Sequence, residues 1–321
     1  ALSMPHLDFA TQFIETVYHR HIAQIEALPP FFSWRGLYRV HDTQGSIWIL
    51  RLLNVPSVVD SLTQIAELLQ WLEQHHYVAP RLALTHNHQV VGFLNGWGSL
   101  LLSYIDGAVL NVHSTDFAHL GFTLGQLHMM PLPNAGRVPR SRCDPVLLQT
   151  QTARQLAAGN NRVAPCFQPL LKTLRDSLNV CISQNDPLCL THGDCWYKNA
   201  IKTRDGTVVL IDWDCAGIGL PILDVGYLLL TAHYDLTQPL QITPDTQKIL
   251  AILQGYQRAR RISETEWAQM QSALQCILAL QVGEHVAEQP LIASDDVFLQ
   301  KVQIRMVASI EIAQIAQQAI V

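Results

Sequence analysis

The sequence predicts an α+β protein in two lobes that share a cleft: a small lobe on an antiparallel sheet, then a larger, mostly helical one. Three observations predict it. Up to residue 105 the elements run helix, hairpin, helix and short strands. After Asp106-Gly107 helical patterns dominate. The 321 residues are 49% hydrophobic, ample for a core of that size. The expected boundary divides 1–105 from 106–321.

The elements of the first lobe follow in order. Leu7, Phe13, Ile14, Val17, Ile22 and Ile25 fall near helical spacing and predict one amphipathic helix over 7–28, stopped by Pro29-Pro30. A hairpin follows over 37–52, around a turn at His41-Asp42-Thr43-Gln44-Gly45. Ile65, Leu68, Leu69 and Leu72 mark a helix near 58–75, and strands follow at 81–85, 89–94 and 100–105. In the second lobe helices are expected at 114–130, 145–157, 168–183, 222–233, 245–258, 263–285 and 295–319, with Ser263-x-x-Glu266 as a capping box. Strands near 188–191, 199–203 and 207–212 interrupt them.

Net charge is -5 and the pI about 6.3. With no Lys/Arg-rich run, this predicts no nucleic-acid partner. Seven cysteines without a C-x-x-C pair fit reduced thiols in a cytosol, not a disulfide framework. The first twenty residues do not read as a signal peptide, and no apolar run reaches membrane-spanning length. A cytoplasmic protein off the membrane is therefore expected. His75-His76 and His86-x-His88 lack zinc-protease spacing, and Gly-x-Ser-x-Gly is absent.

The chemistry gathers in Leu190-Thr191-His192-Gly193-Asp194-Cys195-Trp196-Tyr197-Lys198-Asn199 and in Val208-Val209-Leu210-Ile211-Asp212-Trp213-Asp214. Asp205-Gly206 is a two-residue hairpin signal for a type I′ turn. With the turn centred there, Asn199 faces Asp212 across the ladder, with Cβ atoms roughly 5 Å apart. Two oxygen-bearing side chains at that spacing can share one hard cation. Asp194 enters the same hairpin and brings a third polar group to the spot. The alternative is a hairpin whose acids face water.

H-G-D-x-x-x-x-N followed by I-D-W-D resembles the signature of the aminoglycoside phosphotransferase and choline kinase family, small-molecule relatives of the protein kinases. The resemblance implies a bilobal protein-kinase-like fold that uses ATP and Mg²⁺ to phosphorylate a hydroxyl of a small molecule. It implies that Asp194 is the catalytic base and that Asn199 and Asp212 hold the metal, with His192 propping the loop. In the first lobe, Ser33-Trp34-Arg35-Gly36-Leu37 stands where a phosphate-covering loop would lie, with a single glycine. Arg51 stands at the phosphate-binding strand position, with an exposed strand arginine as the other reading. Glu67 or Glu73 is its candidate partner. The main chain at Ser103 and Ile105 would meet adenine. Lys198 touches the γ-phosphate or faces solvent. Asp214 assists the metal or binds substrate, and Asp224 reads as a helix cap or structural hydrogen-bonder. Leu124-Gly125-Gln126-Leu127-His128 reads as core packing.

Two other readings stay open: a protein kinase, disfavoured by the lack of an A-P-E segment, and a catalytically silent nucleotide-binding protein. For the acceptor, residues 205–300 carry twelve Asp/Glu against four Lys/Arg. That excess predicts a cationic, amine-bearing acceptor or, equally, an ordinary solvated helix surface.

Overall fold

The computed structural model describes residues 6–29, 35–54, 59–133, 138–182, 187–289 and 291–318. The chain divides into two units, Ala1–Asp106 with Pro133–Pro139, and Gly107–Leu132 with Arg140–Val321.

The first unit contains α1 (Leu7–Val17), β1 (Ile22–Ala27), β2 (Arg35–Asp42), β3 (Ile47–Leu53), α2 (Val59–Gln74), β4 (Leu82–Ala83), β5 (Gly92–Leu94) and β6 (Trp97–Ser103). Its sheet runs β1-β2-β3-β6-β4, with β5 also on β6, and every pairing is antiparallel. Phe13 and Ile14 of α1 pack with Tyr38, Val40, Leu50, Leu52 and Leu101 of the sheet into one apolar cluster.

The expected helix over 7–28 is two elements. Apolar residues at 22 and 25 fit a helix, but His19 takes a positive φ of 49°, which ends it. Ile22–Ala27 instead forms a strand on β2, with Ile25 opposite Val40 and a register shift between Ile22 and Gln24, so the sheet rather than a helix satisfies its backbone groups. Pro30, Ser33 and Trp34 lie outside the described residues, while Arg35-Gly36-Leu37 opens strand β2.

The second unit contains β7 (Gly107–Val109), α3 (Phe117–His128), α4 (Pro145–Leu147) leading through a wider turn into α5 (Ala153–Ala158), α6 (Gln168–Ile182), β8 (Cys189–Thr191), β9 (Ala200–Thr203), β10 (Val208–Leu210), β11 (Gly217–Gly219), α7 (Pro221–Thr231), α8 (Thr246–Ala259), α9 (Glu264–Glu288) and α10 (Val297–Gln318). Two small antiparallel sheets, β10-β9-β7 and β11-β8, sit among these helices. The strands β7 and β11 escape sequence reading because each is three residues long and rich in glycine. The capping box at Ser263 and Glu266 forms in full. Helices α3 and α8 approach closely through glycine. A Cβ on Gly255 would lie 1.9 Å from the Ala118 carbonyl oxygen, and one on Gly121 2.2 Å from that of Ile252.

Candidate active site

The loop between β8 and β9 needs a glycine and a buried acid. Gly193 has φ +74°, and a Cβ there would lie 2.1 Å from the Cys215 carbonyl oxygen. The His192 and Gly193 N–H groups both donate to Asp224, at 2.6 and 3.0 Å. Asp224 is wholly buried in the first turn of α7, where the helix N-terminus favours an anion. It is thus a structural hydrogen-bonder, whereas the residue at the cap position is Leu220.

Behind Asp224 runs a buried polar chain. His128 of α3 reaches the Asp224 carboxylate at 3.2 Å through Nε2 and the Tyr256 hydroxyl at 2.7 Å through Nδ1. Arg260 donates to that hydroxyl at 3.0 Å and pairs with Glu266 at 2.8 Å. Burial pushes the His128 pKa down. The neutral ring then donates from Nε2 to the carboxylate and accepts from Tyr256 at Nδ1. His192 is buried too. Its Nε2 lies 3.0 Å from the Ile211 carbonyl, and its ring meets Trp213 edge-on at 4.8 Å.

Asp194, half-buried, is held on both carboxylate oxygens. Asn199 Nδ2 donates to Oδ2 at 2.8 Å and to the Asp194 carbonyl at 3.0 Å. The Tyr227 hydroxyl, from α7, donates to Oδ1. Arg142 approaches the same oxygen at 3.7 Å and reaches Glu284 of α9 at 3.5 Å. Burial, and then the Asp194 charge, push the Tyr227 pKa well up, so the phenol stays protonated and donates. Burial pulls the Arg142 pKa down, but Cys215, Glu284, Tyr227 and Asp194 more than offset it and the cation is retained.

The expected hairpin register is off by one. Leu210 pairs with Ala200 and Val208 with Lys202, so position 199 lies opposite 211, and Ile211 N–H donates to the Asn199 carbonyl at 2.9 Å. The cause is the turn. Only Gly206 of the central residues has positive φ, at +87°, and its N–H bonds to the Thr203 carbonyl at 3.0 Å. This is a three-residue connection with glycine in the left-handed position, not a type I′ turn. A one-residue slip would turn Asp212 to the opposite face of a regular strand. But β10 ends at Leu210, and Asp212 takes φ 62° and ψ 69°, leaving the ladder to open the short turn Trp213–Cys215.

The other expected site residues are spread more widely. Lys198 is exposed, its Nζ 5.9 Å from the centre of the Trp196 ring. Asp214 is exposed. In the first unit, Arg51 is buried at 4% exposure in β3, between Leu37 and Leu100 of the flanking strands, which excludes the exposed strand arginine. Glu67 is half-buried on α2, while Glu73 pairs with Arg81 at 3.4 Å. Ser103 donates its N–H to the Arg81 carbonyl at 2.8 Å, so that donor serves the sheet, and half-buried Ile105 follows the end of β6. Several acids counted towards a cationic acceptor have partners: Asp224 as above, Glu284 with Arg142, Asp235 with Thr237, and Asp296 with His285.

Tyr227, Arg142 and His128 were not legible as site residues. Tyr227 lies 33 positions from Asp194 and His128 96 positions from Asp224, with no local motif to announce either contact.

A family model described as "Phosphotransferase enzyme family" matches residues 34–262. No curated protein matches the sequence. Several solved structures share the fold at low identity. One, "Amicoumacin kinase hAmiN in complex with AMP-PNP, Ca2+ and Ami", has a TM-score of 0.70 and 16% identity, over 96% of this chain and 93% of that one. An aminoglycoside phosphotransferase from Alicyclobacillus acidocaldarius aligns at TM-score 0.64 and 17% identity, over 95% and 94% of the two chains. A microcompartment-associated aminopropanol kinase aligns at 0.64 and 17%, over 96% and 97%.

Proposed function

The chain belongs to the phosphotransferase enzyme family, and from that premise we propose that it is an ATP- and Mg²⁺-dependent kinase that phosphorylates a hydroxyl of a small molecule. The observation that carries the reading is the Asp194 carboxylate, oriented at one oxygen by Asn199 and at the other by Tyr227. A carboxylate so fixed can orient an acceptor hydroxyl and take its proton as phosphate is transferred. Asp224 keeps the loop in place by gripping two of its N–H groups.

The donor set fits a hard divalent cation. Asn199 gives its amide nitrogen to Asp194, which leaves the amide oxygen as its ligand atom, and Asp212 supplies a carboxylate beyond the end of β10. When bound, the metal neutralises phosphate charge and orients the transferred group. Arg51, with Glu67 as its candidate ion-pair partner, is assigned to the nucleotide phosphates, Lys198 to the γ-phosphate, and the main chain at Ser103 and Ile105 to adenine.

The test is ADP release and product phosphorylation over a panel of small alcohols that includes ethanolamine and aminopropanol, with Mg²⁺ and with excess chelator. Turnover that requires both the metal and an acceptor is expected. Asp194→Asn should lower kcat by roughly 10²-fold or more while ATP still binds. Near-native turnover in that variant would remove Asp194 from its role.

A further inference from the structure

Two hydrogen-bond donors in the second unit lie side by side without an acceptor among the described residues. Tyr234 is 7% exposed, and its hydroxyl is buried and unpaired. Arg305 of α10 stacks on that ring, its guanidinium carbon 4.0 Å from the centroid. The Arg305 Nε–H is also buried without an acceptor, and Nη1 reaches Gln281 only at 3.4 Å. No carboxylate pairs with Arg305 among the described residues. Buried donors in folded proteins are nearly always satisfied, so this pair calls for a group that accepts hydrogen bonds. A carboxylate suits it: it only accepts, it has two oxygens, and it neutralises the guanidinium.

The position of the pair ties it to Asp194. Tyr234 comes shortly after α7, seven positions beyond Tyr227, whose hydroxyl bonds the candidate base. The two phenols are close enough to influence each other electrostatically. The Tyr234 carbonyl accepts a 2.5 Å bond from Tyr197, which belongs to the loop that carries Asp194. Arg142, beside Asp194, is already engaged with Glu284, whereas Arg305 has no carboxylate partner among the described residues.

We propose that Tyr234 and Arg305 recognise a carboxylate on the acceptor, separate from the hydroxyl that the acceptor presents to Asp194. The inference rests on the kinase reading and names its substrate class. It runs against the amine expected from the count of acids in the sequence, and against any neutral alcohol of similar size.

The experiment uses the full chain with ATP and Mg²⁺, reading ADP release and phosphorylated product. The probes are glycolate, β-hydroxypropionate and γ-hydroxybutyrate, each beside its primary amide, with ethanolamine and aminopropanol as amines. At least one acid should exceed its own amide about tenfold or more in kcat/KM. Tyr234→Phe and Arg305→Gln should each raise KM for that acid about tenfold, leaving kcat and the KM for ATP within about twofold. Arg305→Lys keeps the charge and stem and serves if the glutamine variant folds poorly. It should raise KM for the acid and leave that of the amide unchanged. Turnover of amides or amines as good as that of the acids overturns the inference and leaves the kinase reading intact. So does an equal loss on acid and amide in the variants, which would mark a packing role. No turnover of any probe overturns the inference, while the kinase reading is decided by the wider alcohol panel above.

Discussion

At the residue scale, the short contacts around Asp194 divide into those a motif announces and those it does not. H-G-D-x-x-x-x-N places Asp194 five positions from Asn199, and the two are bonded. Tyr227 carries no motif, yet its phenol bonds the other carboxylate oxygen. Because burial and the neighbouring carboxylate keep that phenol protonated, it always offers the carboxylate a donor. Tyr227→Phe keeps the ring and removes only the donor. A hydrogen bond to a charged group is worth about 1.5–3 kcal/mol, so kcat should fall roughly tenfold or more with the KM for ATP unchanged. Steady-state kinetics with saturating acceptor checks it, and an unchanged kcat would make Tyr227 a packing residue.

At the scale of elements, glycines separate backbone conformation from packing. Gly206, in the β9–β10 turn, has positive φ but open space where a Cβ would go. Gly206→Ala should therefore cost only the left-handed backbone penalty, about 1–2 kcal/mol. Gly255 has an ordinary helical backbone but meets the Ala118 carbonyl of α3. Gly255→Ala must push two helices apart and should cost about 3 kcal/mol or more. Urea denaturation of both variants tests the order, and a larger loss at Gly206 would reverse the argument. These glycines also mark how far the sequence was legible. Asp205-Gly206 announced a turn, but a dipeptide cannot distinguish two central residues from three, and that choice moves position 199 from opposite 212 to opposite 211. Long helices such as α9, with its capping box, were legible because side chains within the helix set their periodicity and ends. Strand β1 was not, because its pairing with β2 decides its conformation.

At the scale of the whole molecule, a count along the chain is a poor guide to charge in space. The window of residues 205–300 holds twelve acids and four bases, but Arg142 precedes it and Arg305 follows it. Folding brings Arg142 to Glu284 and Asp194, and Arg305 over Tyr234. Buried histidines make a further property of the whole fold, its stability against acid. His233 Nδ1–H donates to the Leu229 carbonyl at 2.8 Å, and Nε2 accepts the Asp245 N–H at 3.1 Å. That pattern requires the neutral ring, and burial pushes its pKa down to about 4. His128 is shifted in the same direction by burial. In the unfolded chain both would titrate near the ordinary value of about 6.5. Above that pH neither state binds the extra protons and stability is at its full value. As pH falls from about 6.5 towards 4, the unfolded chain takes up protons that the folded chain refuses, so stability falls. At roughly 1.4 kcal/mol per pH unit, His233 alone accounts for about 3 kcal/mol across that window. Urea denaturation should give nearly the same free energy at pH 8 and 7 and progressively less at pH 6 and 5. In His233→Gln, which cannot take up the proton in either state, the slope should shrink by up to one proton. A slope in that variant equal to that of the native chain would assign the acid sensitivity elsewhere.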